Sequence, residues 1–133
     1  MPVLYLLDTN TVSFVIKQNP NVHVRLARVP PAQVAVSVIT EAELRFGLAR
    51  RPEAKQLRRA VEEFLLRVSI HPWDSNCARH YADLRAAEER SGTPISNLDL
   101  MIAAQALAED AVLVTNDAAL RRIKRIKTED WTR

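Results

Sequence analysis

Val3-Leu4-Tyr5-Leu6-Leu7-Asp8-Thr9-Asn10-Thr11 opens with five apolar residues that run directly into a carboxylate and three polar side chains. An unbroken apolar run of this length, with β-branched and aromatic members, suits a strand buried on both faces. The same character recurs in Val34 to Ile39 (Val-Ala-Val-Ser-Val-Ile) and in Ala111 to Thr115 (Ala-Val-Leu-Val-Thr), so three buried strands are predicted. Val68 to His71 and Ile126 to Lys127 are shorter and are expected as edge strands. Helical patterns lie between them. After Pro52, Leu57, Val61, Phe64, Leu65 and Val68 recur at helical spacing, with Arg58, Arg59, Glu62 and Glu63 on the opposite side. Cys77, Tyr81, Leu84 and Ala87 repeat the spacing, and Ser91-Gly92-Thr93-Pro94 is the expected end of that helix. Leu98 to Leu107 is apolar nearly all round, the mark of a helix packed between other elements. Strands alternating with helices predict an α/β fold, a central parallel sheet flanked by helices.

The chain has 133 residues and a mass of 15.0 kDa, which suits one domain spanning residues 1–133. No apolar stretch approaches the roughly 20 residues of a membrane span. The opening run lacks a basic flank and a small-residue cleavage site, so it is read as a first strand rather than a signal peptide, and a cytoplasmic location is expected. Cys77 is the only cysteine, which excludes an internal disulfide and a multi-cysteine zinc site, so any metal must be held by oxygen. Only two glycines are present, too few for a phosphate-cradling glycine loop.

Asp8, Glu43, Asp99 and Asp117 are scattered along the chain, yet each sits after an apolar run or at the mouth of a helix. Each has a structural explanation. Asp8 and Asp117 suit helix N-caps, and Thr40-Glu41-Ala42-Glu43 and Ser96-Asn97-Leu98-Asp99 have the form of capping boxes. In a parallel α/β fold, however, the loops at the carboxyl ends of the strands gather at one edge. Asp99 also opens the most apolar helix, where a carboxylate is costly unless paired or bound to a cation. No basic residue lies between Thr93 and Ala119 to pair with it. A hard divalent ion such as Mg²⁺ or Mn²⁺ would relieve the repulsion and suit phosphoester chemistry.

Taken together, Leu6-Leu7-Asp8-Thr9-Asn10-Thr11, Ser37 through Gly47, Gly92 to Ile95 with Asp99 to Ala104, Leu113 to Asp117 and Glu129-Asp130-Trp131 resemble the PIN-domain ribonucleases. The likeness is closest to the VapC-type toxins of bacterial toxin–antitoxin pairs, and it spans nearly the whole chain in order. It implies a three-layer α/β sandwich, Mg²⁺- or Mn²⁺-dependent endoribonuclease activity on an RNA substrate, a homodimer, and inhibition by a cognate antitoxin. Residue by residue, Asp8, Glu43 and Asp99 fall on the metal-binding acidic positions, and Asp117 on a fourth, more variable one. Thr9, Asn10, Ser37, Thr115 and Asn116 fall on polar positions that line the same pocket. Glu41, where relatives carry an apolar or neutral residue, is expected to point away from Glu43 as a surface charge.

The 19 Lys and Arg against 16 Asp and Glu give a net charge of +3, compatible with a polyanionic partner. Arg45, Arg50 and Arg51, and the run Arg121, Arg122, Lys124, Arg125 and Lys127, are candidates for gripping phosphates, with a solvated helix face as the alternative. Trp73 and Trp131 are read as packing rather than base-stacking groups, and Cys77 as a small core residue. His71 and His80 are set aside as general bases because spacing supplies neither with an acidic partner. Two rival readings remain. An aspartyl-phosphate phosphatase would use Asp8 as nucleophile, but Asn10 stands where a second Asp is usual, and its lysine would have to be Lys124 or Lys127. A non-catalytic RNA- or protein-binding relative is opposed by all four acidic positions being filled.

Overall fold

The computed structural model describes residues 2–92 and 94–133. Met1, and Thr93 within the expected helix end, lie outside the described residues. Five short strands form one parallel sheet: β1 (Tyr5–Leu7), β2 (Val34–Ser37), β3 (Ser69–His71), β4 (Val112–Val114) and β5 (Thr128–Glu129), in the order β3-β2-β1-β4-β5. The helices are α1 (Thr9–Ile16), α2 (Pro20–Ala27), α3 (Val38–Ala49), α4 (Lys55–Arg67), α5 (Ser75–Ser91), α6 (Asn97–Ala108) and α7 (Ala118–Arg121). β1 is central, and Leu6 and Leu7 are fully buried, as are Ala35 and Val36 of β2 and Leu113 and Val114 of β4.

Burial on both faces explains why these strands read as continuous apolar runs, and alternation along each strand divides the core in two. Leu6, Ala35 and Leu113 point to one face and pack with Leu84 of α5 and Leu100, Ile102, Ala103 and Ala106 of α6. Leu7, Val36 and Val114 point to the other, with Val12 of α1, Val22 of α2, Leu44 and Leu48 of α3, Val61 and Leu65 of α4, and Trp131. The result is the expected three-layer α/β sandwich with helices on both sides of a parallel sheet.

Several boundaries differ from the sequence reading. Val38 and Ile39 are not strand residues but the first turn of α3, because the Ser37 hydroxyl accepts from the Ile39 amide at 2.9 Å and turns the chain there. Thr40 is therefore inside the helix, and the Thr40-Glu43 capping box does not form. The last strand lies at Thr128–Glu129 rather than Ile126–Lys127, where Ile126 is instead buried in the core. Asp8 and Asp117 do cap α1 and α7, and Ser96 caps α6 through the Asp99 amide at 3.1 Å. Gly92 ends α5 with φ of 75°, a left-handed conformation that glycine adopts without steric cost. Ile102 is fully buried at the middle of α6, so Ile102→Ala is expected to cost about 2–5 kcal/mol. Leu98→Ala, at a position 44% exposed on the same helix, should cost less than about 1 kcal/mol. Urea unfolding of the two variants checks the contrast through their midpoints.

Candidate active site

Leu7 pairs with both Val36 and Val114, so the residues that follow all three strands emerge together at the carboxyl edge of the sheet. They are Asp8 after β1, Ser37 at the end of β2 and Thr115 after β4. All three are buried, Asp8 with only 3% exposure. The Asp8 amide continues the ladder by donating to the Val114 carbonyl at 3.1 Å, and the Thr11 hydroxyl donates to the same carbonyl at 3.0 Å. The start of α1 is thus tied to β4.

The Asp8 carboxylate accepts from the Thr11 amide at 2.8 Å. Thr115 Oγ1 accepts from the Asp117 amide at 3.0 Å, which fixes the turn from β4 into α7. Burial nevertheless dominates and raises the Asp8 pKa above its ordinary value; the Thr115 and Thr11 hydrogen bonds oppose the shift, and the Asp99 charge adds to it. Asp99 is partly buried in the first turn of α6.

Glu43 enters from α3. The Thr9 hydroxyl donates to its Oε1 at 2.6 Å and lies 3.2 Å from the Thr40 hydroxyl, so what reads as a capping threonine in sequence is a buried support for the α1–α3 contact. Asp117 directs Oδ1 to the Ala119 and Leu120 amides of α7, at 2.8 and 3.1 Å. Asn10 and Asn116 are exposed, and Ser37 is spent on capping α3. Among the described residues, none of the four acidic side chains forms an ion pair. Nor is any group of three acidic, His or Cys side chains already poised to hold a metal ion. Asp8 leaves the carboxyl end of β1 and Asp99 lies in the first turn of α6, and the Asp99 charge is the smallest of the influences that raise the Asp8 pKa.

The basic candidates separate into two kinds. Arg45 is held by Glu41 at 2.9 Å and Glu62 at 2.8 Å, and Arg121 lies 3.8 Å from Asp130. Glu41 is thus a paired surface charge turned away from Glu43. Arg50 and Lys124 are exposed and have no carboxylate partner among the described residues. Trp73 donates to the Met101 carbonyl at 2.9 Å, and Trp131 is buried beside Tyr5, so both pack. Buried Cys77 has its thiol pKa pushed up to about 11 by desolvation, as befits a core residue. Sequence spacing missed the partner of His71: its Nδ1 lies 2.5 Å from Glu109 Oε1, and Gln105 donates to Glu109 Oε2 at 2.8 Å. Thirty-eight positions separate His71 from Glu109, so no local pattern announces the pair.

The PIN domain family profile matches residues 5–126. The chain belongs to the PIN-domain family. Within it, the chain is closely related to the VapC toxins of type II toxin–antitoxin systems. It is 33% identical to Ribonuclease VapC2 of Rickettsia felis, over 97% of this chain and 98% of that protein. It is 35% identical to the tRNA(fMet)-specific endonuclease VapC of Salmonella typhimurium, over 96% and 97% of the two chains. The crystal structure of DNA-bound VapBC from Salmonella typhimurium superposes with a TM-score of 0.89 at 33% identity, covering 97% of this chain and 98% of that one.

The raised pKa of Asp8 makes a signed prediction for the protein kept free of divalent ions. An unfolded Asp ionises near 3.8, whereas native Asp8 holds its proton to higher pH. Stability is therefore lost as pH rises from about 3.8 through the native pKa, and the full cost of the buried charge persists above it. Asp8→Asn keeps the cap acceptor and removes the charge. It should stabilise the chelated protein at pH 7 by about 1 kcal/mol, the order of an incompletely compensated buried polar group. The gain should vanish below pH 3.8, as read from denaturant midpoints across pH.

Proposed function

We propose that this chain is a metal-dependent endoribonuclease toxin, with Asp8 and Asp99 as the principal metal-binding groups, Glu43 joining them directly or through water, and Asp117 as a further acidic position. What carries the reading is a buried carboxylate, Asp8, that feels a second negative charge from Asp99 and lacks any cationic partner among the described residues. A buried negative pair of this kind is stabilised by a cation. The donor set is entirely oxygen, from carboxylates and threonine hydroxyls, and so fits Mg²⁺ or Mn²⁺ rather than a thiolate-seeking metal. The relatives named as a ribonuclease and as a tRNA-specific endonuclease match nearly end to end and support RNA as the substrate.

When bound, the ion supplies Lewis-acid polarisation of a phosphate oxygen and favours ionisation of water. The chain's own residues supply placement. The Thr11 amide orients Asp8, and the Thr9 hydroxyl does the same for Glu43. Asp117 Oδ1 caps α7, and Oδ2 makes no hydrogen bond among the described residues. Asn10 and Asn116, exposed at the same edge, are available to the scissile phosphate. Hydrolysis by water rather than by the adjoining 2′-hydroxyl leaves a 5′-phosphate and a 3′-hydroxyl.

Solved VapBC assemblies of related chains support a cognate antitoxin as partner. A homodimer is part of the same reading, with exposed Val38 and Leu98 as apolar surface for a second copy. No helix of the described residues is long and apolar enough to cross a membrane, and a cytoplasmic site of action belongs to the proposal.

Asp8→Asn and Asp99→Asn should each lower RNA cleavage in Mg²⁺ or Mn²⁺ by more than about a hundredfold, beyond the 10–100-fold typical of losing an outer support. Circular dichroism should show both variants folded. End mapping of the cleaved RNA should find 5′-phosphates. Cleavage by Asp8→Asn at the wild-type rate would sink the proposal.

A further inference from the structure

A groove of about 330 Å³ leads away from Glu43 between α1 and α3. One wall carries Thr9, Ser13 and Lys17 of α1, the other Glu43, Gly47 and Arg50 of α3 with Arg51 just beyond, and apolar residues of α3 and α4 form the floor. Arg50 lies two turns past Glu43, about 10 Å along the helix axis. Gly47 stands between them, and a Cβ added there would meet nothing within 4 Å, so the passage is open at that point.

Lys17, Arg50 and Arg51 are exposed, and among the described residues none forms an ion pair. The contrast with Arg45, on the same helix, is direct: its charge is answered by Glu41 and Glu62. Arg50 is instead held over the Phe46 ring, 5.0 Å from its centroid. A ring fixes a guanidinium without neutralising it. Lys17 and Arg50 stand at the C-terminal ends of α1 and α3, where helix dipoles favour a cation. That accounts for each alone. It does not account for three uncompensated cations converging on the groove that also holds Glu43.

We infer that this groove is the path of the RNA flanking the bond to be cut, with Lys17, Arg50 and Arg51 contacting its phosphates on the strand beyond Glu43. The assignment rests on the endoribonuclease reading above and adds to it a substrate-positioning track and one residue, Lys17, that no sequence pattern marks. The occupant is a single strand: the floor is apolar and the cations are spaced along a narrow passage, a combination that tracks a backbone and accepts unpaired bases.

The test uses full-length Asp8→Asn protein and a short unstructured RNA, with affinity measured against salt. Adding Lys17→Glu, Arg50→Glu and Arg51→Glu should weaken binding at least tenfold at low salt. It should also reduce the slope of log affinity on log salt by about 2, from roughly 0.7 per phosphate contact on a single strand. Arg79→Glu on α5, a single charge reversal away from the groove, should leave the slope as it was, whereas Arg50→Glu alone should lower it. Gly47→Phe provides a route that keeps the charges: it replaces a mid-helix glycine, fills the passage and should weaken binding in a protein that remains folded. Unchanged affinity and slope in the triple variant, or unimpeded binding by folded Gly47→Phe, would overturn the inference. Cleavage measured with Asp8 intact, in the wild-type protein and in the triple charge reversal alone, separates the two claims. If the wild-type protein cuts RNA and the charge-reversed protein cuts with the same KM, the groove assignment fails and the activity stands. If the wild-type protein cuts nothing while groove-dependent binding persists, the activity fails and the groove stands as an RNA-binding surface.

Discussion

Leu7 stands opposite Val36 on one side and Val114 on the other, and that double register organises the carboxyl edge of the sheet. Because β1 is central and all its neighbours are parallel, Asp8, Ser37 and Thr115 leave the sheet side by side. Backbone pairing extends one residue further, through the Asp8 amide to Val114, which leaves the Asp8 side chain little freedom. A one-residue slip of β1 would send Leu6 and Leu7 to the opposite faces and break both cores. Hydrophobic burial on two faces thus fixes the position of a carboxylate that touches neither core.

The burial that places Asp8 also makes its charge costly. Hydrogen bonds from Thr11 and Thr115 recover part of that cost but do not cancel it, and Asp99 adds to it. A fold under selection for stability alone would put an amide or hydroxyl at position 8, since either can cap α1. On the function proposed above, a carboxylate opposed by a second one trades stability for a ligand of opposite charge. The threonines have a complementary part. The Thr9 hydroxyl and the Thr11 amide are neutral donors, so they orient the Glu43 and Asp8 carboxylates without satisfying their charge.

Much of this was legible in the sequence, for identifiable physical reasons. Strands buried on both faces have to be continuous apolar runs, so β1, β2 and β4 stand out from composition alone, and α6 is recognisable because it too is enclosed. Caps at Asp8, Ser96 and Asp117 follow from side chains that accept from amides two or three residues on, a local interaction. The pattern misled at Thr40, because the competing cap at Ser37 starts α3 at Val38 and takes the last two residues of the expected strand run. β5 was displaced for a related reason: Ile126 is apolar because it packs in the core, not because it pairs. His71 with Glu109, and Arg25 with Glu129, were invisible because each joins distant segments only after the sheet forms.

The cations show most clearly why composition stops short of function. An excess of three positive charges over the whole chain says nothing about where an anion would sit. Arg45 and Arg50 are five residues apart on one helix and look interchangeable in a sequence. Packing separates them: α4 brings Glu62 to Arg45, while Phe46 turns its ring to Arg50. An ion pair between exposed groups contributes little to stability, yet it removes a charge from the surface field. A cation–π contact holds the side chain and leaves its field intact. The surface potential of this fold is therefore set less by how many basic residues it has than by which of them acquired acidic neighbours. Lys17, Arg50 and Arg51, which form no ion pair among the described residues, line the α1–α3 groove that also holds Glu43, so a phosphate chain entering it would meet charges that no carboxylate has answered.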